Sequence, residues 1–82
     1  MKKYTLIDYI DIWSDEEGNF SVNDVMKYED FMEIDDEASD EEIIAALVKK
    51  GYLLENVEYS IMASDEYFME IWHDNMPICA LI

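Results

Sequence analysis

The sequence contains no arginine, and its five cationic residues, all lysines, face 21 aspartates and glutamates. The resulting formal net charge of −16 excludes the basic face that a nucleic-acid-binding domain needs. A single cysteine excludes an internal disulfide and favours a cytoplasmic protein. With only one histidine as well, nitrogen and sulfur ligands are too few for a structural zinc site. The two glycines are too few for a glycine-rich phosphate-binding loop.

Long apolar runs are also missing. No stretch approaches the roughly 18 residues of a membrane-spanning helix, and the chain opens without the pattern of a signal peptide. Hydrophobic residues nevertheless make up 51% of the sequence and aromatic residues 13%, which argues against disorder. A chain of 82 residues is expected to form one domain, so we predict a single domain over residues 1–82.

The first half of the chain predicts two antiparallel strands. Tyr4–Trp13 is rich in β-branched and aromatic residues on both faces, which indicates a central strand. Ser14–Asn19 forms a turn, because its Gly18-Asn19 pair readily adopts positive φ. Val25–Ile34 alternates apolar and polar residues as a half-buried strand does, with Met26, Tyr28, Met32 and Ile34 on the apolar face. Asn23-Asp24 marks either a second bend or a bulge within a longer strand.

A helix follows, and capping residues predict where it begins and ends. Ser39 and Glu42 have the spacing of a capping box, with Ser39 as N-cap. Gly51 is placed to end the helix after the lysines of its last turn. Helical spacing puts four apolar residues on one face: Ile43, Ile44, Leu47 and Val48.

Three further strands are predicted over Val57–Met62, Glu66–His73 and Ile78–Ile82, with hairpin loops at residues 63–65 and 74–77. The element order is therefore β-β-α-β-β-β. This order predicts an α+β fold in which an antiparallel sheet of about five strands carries one helix on one face.

The residue types give little support to catalysis or metal binding. Aligning Gly18 with the glycine of an EF-hand loop puts Trp13 at the first ligand position, so the calcium-loop pattern fails. Cys79 and His73 flank one predicted loop, but the negative field disfavours a reactive thiolate. We therefore predict a non-enzymatic protein with no catalytic residue, no metal site and no cofactor.

The acids are distributed over folded elements instead of forming a tail, which favours a shaped negative surface. Sixteen charges correspond to about 27 Å of duplex DNA, close to the width of about 30 Å expected for a domain of this size. This surface can either serve solubility alone or occupy a basic groove that normally holds nucleic acid. For the second interpretation, the predicted partner-binding acids are Asp15, Glu16, Glu17, Glu33, Asp35, Asp36, Glu37, Asp40 and Glu41.

Aromatic residues supply the other candidate contacts. One helix can cover only one sheet face, so the opposite face either exposes residues such as Tyr9, Trp13, Phe31 or Trp72 or has its edges tucked under loops. Trp13 and Trp72 join the acids as predicted partner-binding residues. The alternative is a small structural or assembly protein that forms a homodimer through this apolar face.

Two segments carry a resemblance to known proteins. Residues 13–24 (WSDEEGNFSVND) and residues 38–44 (ASDEEII) resemble short acidic proteins of phages and other mobile elements. In size and charge the chain is similar to nucleic-acid-mimicking inhibitors, namely anti-CRISPR proteins, anti-restriction proteins and inhibitors of uracil-DNA glycosylase. The resemblance implies an inhibitor that binds a basic nucleic-acid-binding protein in the host bacterial cytoplasm, without contacting nucleic acid or membrane. It transfers no individual functional residue.

Overall fold

The computed structural model describes residues 1–65 and 68–82. It confirms the predicted order β-β-α-β-β-β and the α+β class, with five antiparallel strands in one sheet and one helix. The elements are β1 (Lys2–Ser14), β2 (Phe20–Ile34), α1 (Asp40–Lys49), β3 (Ser60–Asp65), β4 (Phe68–His73) and β5 (Met76–Leu81). Within the described residues, no helix is long and apolar enough to cross a membrane.

The sheet consists of a long hairpin joined to a three-stranded meander. The strand order is β2-β1-β5-β4-β3, so β2 and β3 are the two edges. β1 pairs with β2 along its whole length but with β5 only over Leu6–Asp8, where Leu6 faces Leu81. The far half of the β1–β2 hairpin, beyond Asp8, is therefore a two-stranded ribbon that extends past β5.

The predicted alternation of buried and exposed residues in β2 holds at its C-terminal end but not along the whole strand. Asn23 and Asp24 lie inside β2 next to register shifts, so the bulge interpretation is right and the bend is not. Met32 and Ile34 are buried as predicted, and Tyr28 is half-buried. Met26 is 43% exposed and lies opposite Asp8 on the edge strand, past the register shift between Thr5 and Ile7. Its predicted place on a buried face is wrong.

The helix begins and ends as the sequence predicts. The Ser39 hydroxyl accepts the backbone N–H of Glu42 at 3.2 Å, and the Glu42 carboxylate accepts the backbone N–H of Ser39. Gly51 follows the C-cap with φ of 87°, a left-handed conformation that glycine adopts without strain. Ile43 and Leu47 are buried against the sheet, while Ile44 and Val48 pack at the border of the core.

One face of the sheet and α1 enclose the core. Leu6, Leu81 and Ile71 from neighbouring strands meet Leu47 from the helix, and the last three are fully buried. Residues that alternate with these on the strands point to the opposite side, which α1 does not cover and on which the end of the ribbon contacts Trp72 through Phe20. We call this side the uncovered face.

The predicted strand limits in the second half require correction. Residues 57–59 precede β3, and residues 63–65 belong to β3 and not to a loop. The predicted strand start at Glu66 lies outside the described residues. Met76 and Pro77 are part of β5, since the connection needs only Asp74 and Asn75. These two residues have φ of 50° and 60°, as a tight two-residue hairpin turn requires.

Candidate binding surface

The tip of the β1–β2 hairpin carries the first acidic cluster. The Asp15 carboxylate accepts the backbone N–H groups of Glu17 and Asn19, each at 2.9 Å, and the Asn19 side-chain amide at 3.0 Å. The Asn19 hydrogen bonds are the main cause that lowers the pKa of Asp15. Asp15 thus fixes the turn, while the exposed Glu16 and Glu17 side chains project from it.

The second group of acids lies along the edge strand β2. Asp24, Glu29, Asp30 and Glu33 are all exposed. Lys27 interrupts the series, and Lys3 lies opposite Glu33 on β1. Because β2 has a neighbour on one side only, these charges border the open edge of the sheet.

Asp30 differs from the other β2 acids because it connects the edge strand to the helix end. Its carboxylate accepts the Tyr52 hydroxyl at 3.1 Å and lies 3.4 Å from the Lys50 ammonium. The Tyr52 hydrogen bond, followed by Lys50, lowers the pKa of Asp30. The same lysine donates to the carbonyl of Phe31 at 3.3 Å. These contacts hold the C-terminal end of α1 against β2.

The third group is the turn after β2 and the first turn of α1. The Asp35 carboxylate accepts the backbone N–H of Glu37 at 2.9 Å, which shapes the turn. Asp36 and Glu37 are exposed, and so are the helix residues Asp40 and Glu41. Acids in the first helical turn are favourable because they face the positive end of the helix dipole.

These groups lie in sequence along the hairpin. Lys2 pairs with Ile34 at one end and Ser14 with Phe20 at the other, so the first and third groups are up to about 40 Å apart along β1 at 3.3 Å per residue. The longest dimension of the molecule is 39 Å. The predicted acids therefore form a track from the hairpin tip, along the β2 edge, to the start of α1. We call it the acidic edge.

The uncovered face is apolar beside this edge. Phe31 is 59% exposed and Met62 53% exposed, on the edge strands β2 and β3 respectively. Between them lie side chains that share this face by register: Thr5, Ile7, Tyr9, Val25, Lys27, Glu70, Trp72 and Ala80. Of the four aromatic residues expected to be exposed, Phe31 and Trp13 are exposed, whereas Tyr9 and Trp72 are half-buried.

The half-buried Glu70 lies within this apolar face and links two aromatic residues. Its carboxylate accepts the Tyr9 hydroxyl at 2.8 Å on one oxygen and the Trp72 indole N–H at 2.7 Å on the other. Burial, and then the hydrogen bond to Glu70, raises the pKa of Tyr9 well above its ordinary value. The Trp72 ring meets Phe20 edge to face, with centroids 5.7 Å apart.

The two predicted tryptophans, Trp13 and Trp72, lie in different surroundings. Phe20 pairs with Ser14 at the base of the hairpin turn, so its contact with Trp72 brings the ribbon towards β4. Trp13, 56% exposed, lies on the ribbon beside the first acidic cluster, whereas Trp72 lies on the uncovered face. The two indoles therefore belong to different parts of the surface.

Cys79 and His73 do not form a nucleophile pair. Cys79 is buried, and burial raises the pKa of its thiol to about 12, which leaves almost no thiolate at neutral pH. The His73 Nδ1 lies 2.8 Å from the carbonyl oxygen of Glu58, and its Nε2 lies 3.2 Å from the Asp74 carboxylate. In residues 1–65 and 68–82, no three histidine, cysteine or acidic side chains are grouped so as to hold a metal ion.

No protein family model, curated protein or solved structure matches the chain. The functional argument therefore rests on the geometry of the acidic edge and the uncovered face. Sequence reasoning missed the Tyr9–Glu70–Trp72 cluster. Residues 70 and 72 share a strand face by spacing, but Tyr9 joins them only through the strand order β1-β5-β4.

Proposed function

We propose that the chain is a non-enzymatic inhibitor that mimics nucleic acid and occupies the basic groove of a defence protein, such as a CRISPR effector or a restriction nuclease. The observation that carries this proposal is the acidic edge. Ten acids and one lysine fall between residues 15 and 37, which comprise the hairpin tip, β2 and the following turn. They follow the hairpin over a contour of up to about 40 Å at 3.3 Å per residue.

The charge spacing is close to that of a nucleic-acid strand. One DNA strand carries about 11 phosphates over this length at 3.4 Å per phosphate, and residues 15–37 carry nine net negative charges. Because a hydrogen-bonded strand holds its side chains at fixed intervals, the track is preorganised in a way that a disordered acidic tail is not. A basic groove attracts such a track strongly at low salt.

A salt-dependent capture experiment tests the proposal. The tagged protein is incubated with nuclease-treated bacterial lysate at about 50 and about 500 mM NaCl, a range over which screening of exposed charges rises strongly. We expect a nucleic-acid-binding protein to be retained at low salt, lost at high salt and displaced by duplex DNA. Recovery of the bait alone at both salt concentrations would contradict the proposal.

Charge-reversal pairs distinguish capture through the acidic edge from attraction by the net charge of the protein. Glu16→Lys/Glu17→Lys changes the tip, and Asp36→Lys/Glu37→Lys changes the far end. The control Glu55→Lys/Glu58→Lys changes the net charge equally at exposed positions outside residues 15–37. We expect each edge pair to weaken capture by about tenfold or more and the control to have a much smaller effect, since close complementary charges contribute most to such an interface. Equal losses in all three would indicate attraction by net charge alone.

Self-association through the uncovered face is a second candidate, because Phe31 and Met62 expose apolar side chains there. It predicts a dimer in sedimentation equilibrium that high salt strengthens by screening the charge of −16. Phe31→Ser should then dissociate the dimer, and Asp36→Lys/Glu37→Lys should not. A monomer at all salt concentrations would eliminate this candidate.

A further inference from the structure

We infer that Glu70, held between Tyr9 and Trp72 on the uncovered face, is the receptor for an arginine side chain of the partner. This inference rests on the proposed function for the basic character of the partner, and it adds the chemistry of one specific contact. The site lies on β4, away from the acidic edge on β2.

The environment of Glu70 first suggests a ligand. The carboxylate is half-buried on an apolar face, next to Met62 and Ala80 in the register. A carboxylate in such a place is stabilised most by a positive partner. The ion pairs of the described residues include Lys50 with Asp30 and His73 with Asp74, neither of which involves Glu70.

The hydrogen bonds of Glu70 leave room for that partner. Tyr9 and Trp72 donate to different oxygens, one bond to each. A carboxylate has about four lone-pair positions, so each oxygen keeps one for a further donor. The two aromatic donors also fix the carboxylate in orientation, which reduces the entropy lost when a ligand binds.

The two aromatic donors beside Glu70 favour a flat cation. The Tyr9 side chain crosses β5 to reach Glu70, and Ala80, between Ile7 and Glu70 in the register, is only 1% exposed. The Tyr9 and Trp72 side chains thus reach the two carboxylate oxygens from β1 and from β4 itself, Ala80 beside them is already covered, and Phe20 packs on the Trp72 ring. A guanidinium can bond both carboxylate oxygens and stack on an aromatic ring, whereas a lysine ammonium offers a compact point charge without a planar surface.

An NMR titration tests the site directly. The probes are the capped tripeptides acetyl-Gly-Arg-Gly-amide and acetyl-Gly-Lys-Gly-amide, added to ¹⁵N-labelled protein at about 150 mM salt, where long-range attraction is screened. The chain has two indole N–H signals, and Trp13→Phe identifies that of Trp72. We expect the arginine probe to shift the Trp72 signal saturably, and the lysine probe to bind at least about threefold more weakly.

Three variants make the result specific. Glu70→Gln removes the charge at nearly constant shape and should reduce the affinity for the arginine probe by about fivefold or more. Tyr9→Phe removes one hydrogen bond that holds the carboxylate and should reduce it by about twofold to threefold. Glu58→Gln, an exposed acid on another segment, should leave it unchanged. The same spectra report whether each variant is folded, and Tyr9→Phe carries the test if Glu70→Gln is not.

The possible failures can be distinguished. If Trp72 responds equally in wild type and Glu70→Gln, or moves no more than Trp13, Glu70 is not the receptor. Equal affinity for the lysine and arginine probes would overturn the assignment to a guanidinium. If the acidic-edge pairs abolish capture of the partner while Glu70→Gln binds normally in both assays, the proposed function stands and this site does not. A selective response of Trp72 without any captured partner would reject the proposed function alone.

Discussion

At the scale of single residues, the fold depends on a few fully buried side chains. Leu47 is fully buried where α1 meets the sheet. Leu47→Ala should lower the free energy of unfolding by about 2–5 kcal/mol, because it removes buried methyl groups and leaves a cavity. Leu54, 71% exposed, is the matched control, and Leu54→Ala should change the free energy of unfolding by less than about 0.5 kcal/mol. Urea unfolding measures both, and equal effects would show that Leu47 is not part of a packed core.

Asp30 gives a prediction for pH dependence. Its pKa in the folded protein lies below the ordinary 3.8, because the carboxylate accepts the Tyr52 hydroxyl and faces Lys50. Folding therefore favours the ionised form. The contribution to stability is complete above the unfolded pKa and is lost as the pH falls through the folded pKa.

The variant Asp30→Asn isolates this contribution. We expect it to be less stable than wild type at pH 7, and the difference to disappear by about pH 2, where both states are protonated. Denaturant unfolding at the two pH values measures it, with Glu29→Gln as the control on the neighbouring residue. A difference that persists at the acidic pH would assign the effect to packing and not to ionisation.

At the scale of the elements, the N-cap of α1 makes a contribution to stability that a single substitution can measure. Ser39→Ala removes the side-chain acceptor of the Glu42 N–H and should destabilise the fold by about 1 kcal/mol. Ser21→Ala, at an exposed position in β2, is the control. Thermal unfolding followed by circular dichroism compares the two. If Ser39→Ala is neutral, water replaces the cap without cost.

The limits of the helix were predictable from the sequence, whereas those of the later strands were not. Ser39, Glu42 and Gly51 are local signals, so the limits of α1 were predictable from the residues themselves. Strand limits in the second half were not, since Pro77 suggested a loop, whereas the positive φ of Asp74 and Asn75 allowed the turn to close in two residues. The acids of the candidate site were readable from composition. Their alignment along one edge depended on β2 lying outermost, which is a property of the strand order.

At the scale of the whole molecule, the net charge of −16 acts on folding and binding in opposite directions. Raising the ionic strength from about 0.01 to about 0.15 M shortens the screening length from about 30 to about 8 Å. Repulsion within the folded chain then weakens, and the same screening weakens attraction to a basic partner.

We therefore expect salt to raise the melting temperature while it reduces partner capture. A gain of about 1 kcal/mol in unfolding free energy corresponds to about 4–8 °C for a domain of this size. Differential scanning calorimetry in NaCl measures the shift, and Glu55→Lys/Glu58→Lys, which carries less charge, should show a smaller one. A melting temperature that does not change with salt would mean that the acids are too well solvated to repel one another.

The short pairing between β1 and β5 has a consequence for how the chain is made. β1 is translated before β2, β3 and β4, but its second neighbour, β5, is translated only after all of them. Until then only α1 can shield Tyr4, Leu6 and Met32, and the β1 edge that β5 will occupy stays unpaired, a state prone to pairing with other nascent chains. Charged residues along a strand edge oppose such pairing. The acids of β2 would then keep the β2 edge of the half-synthesised protein from pairing with another chain.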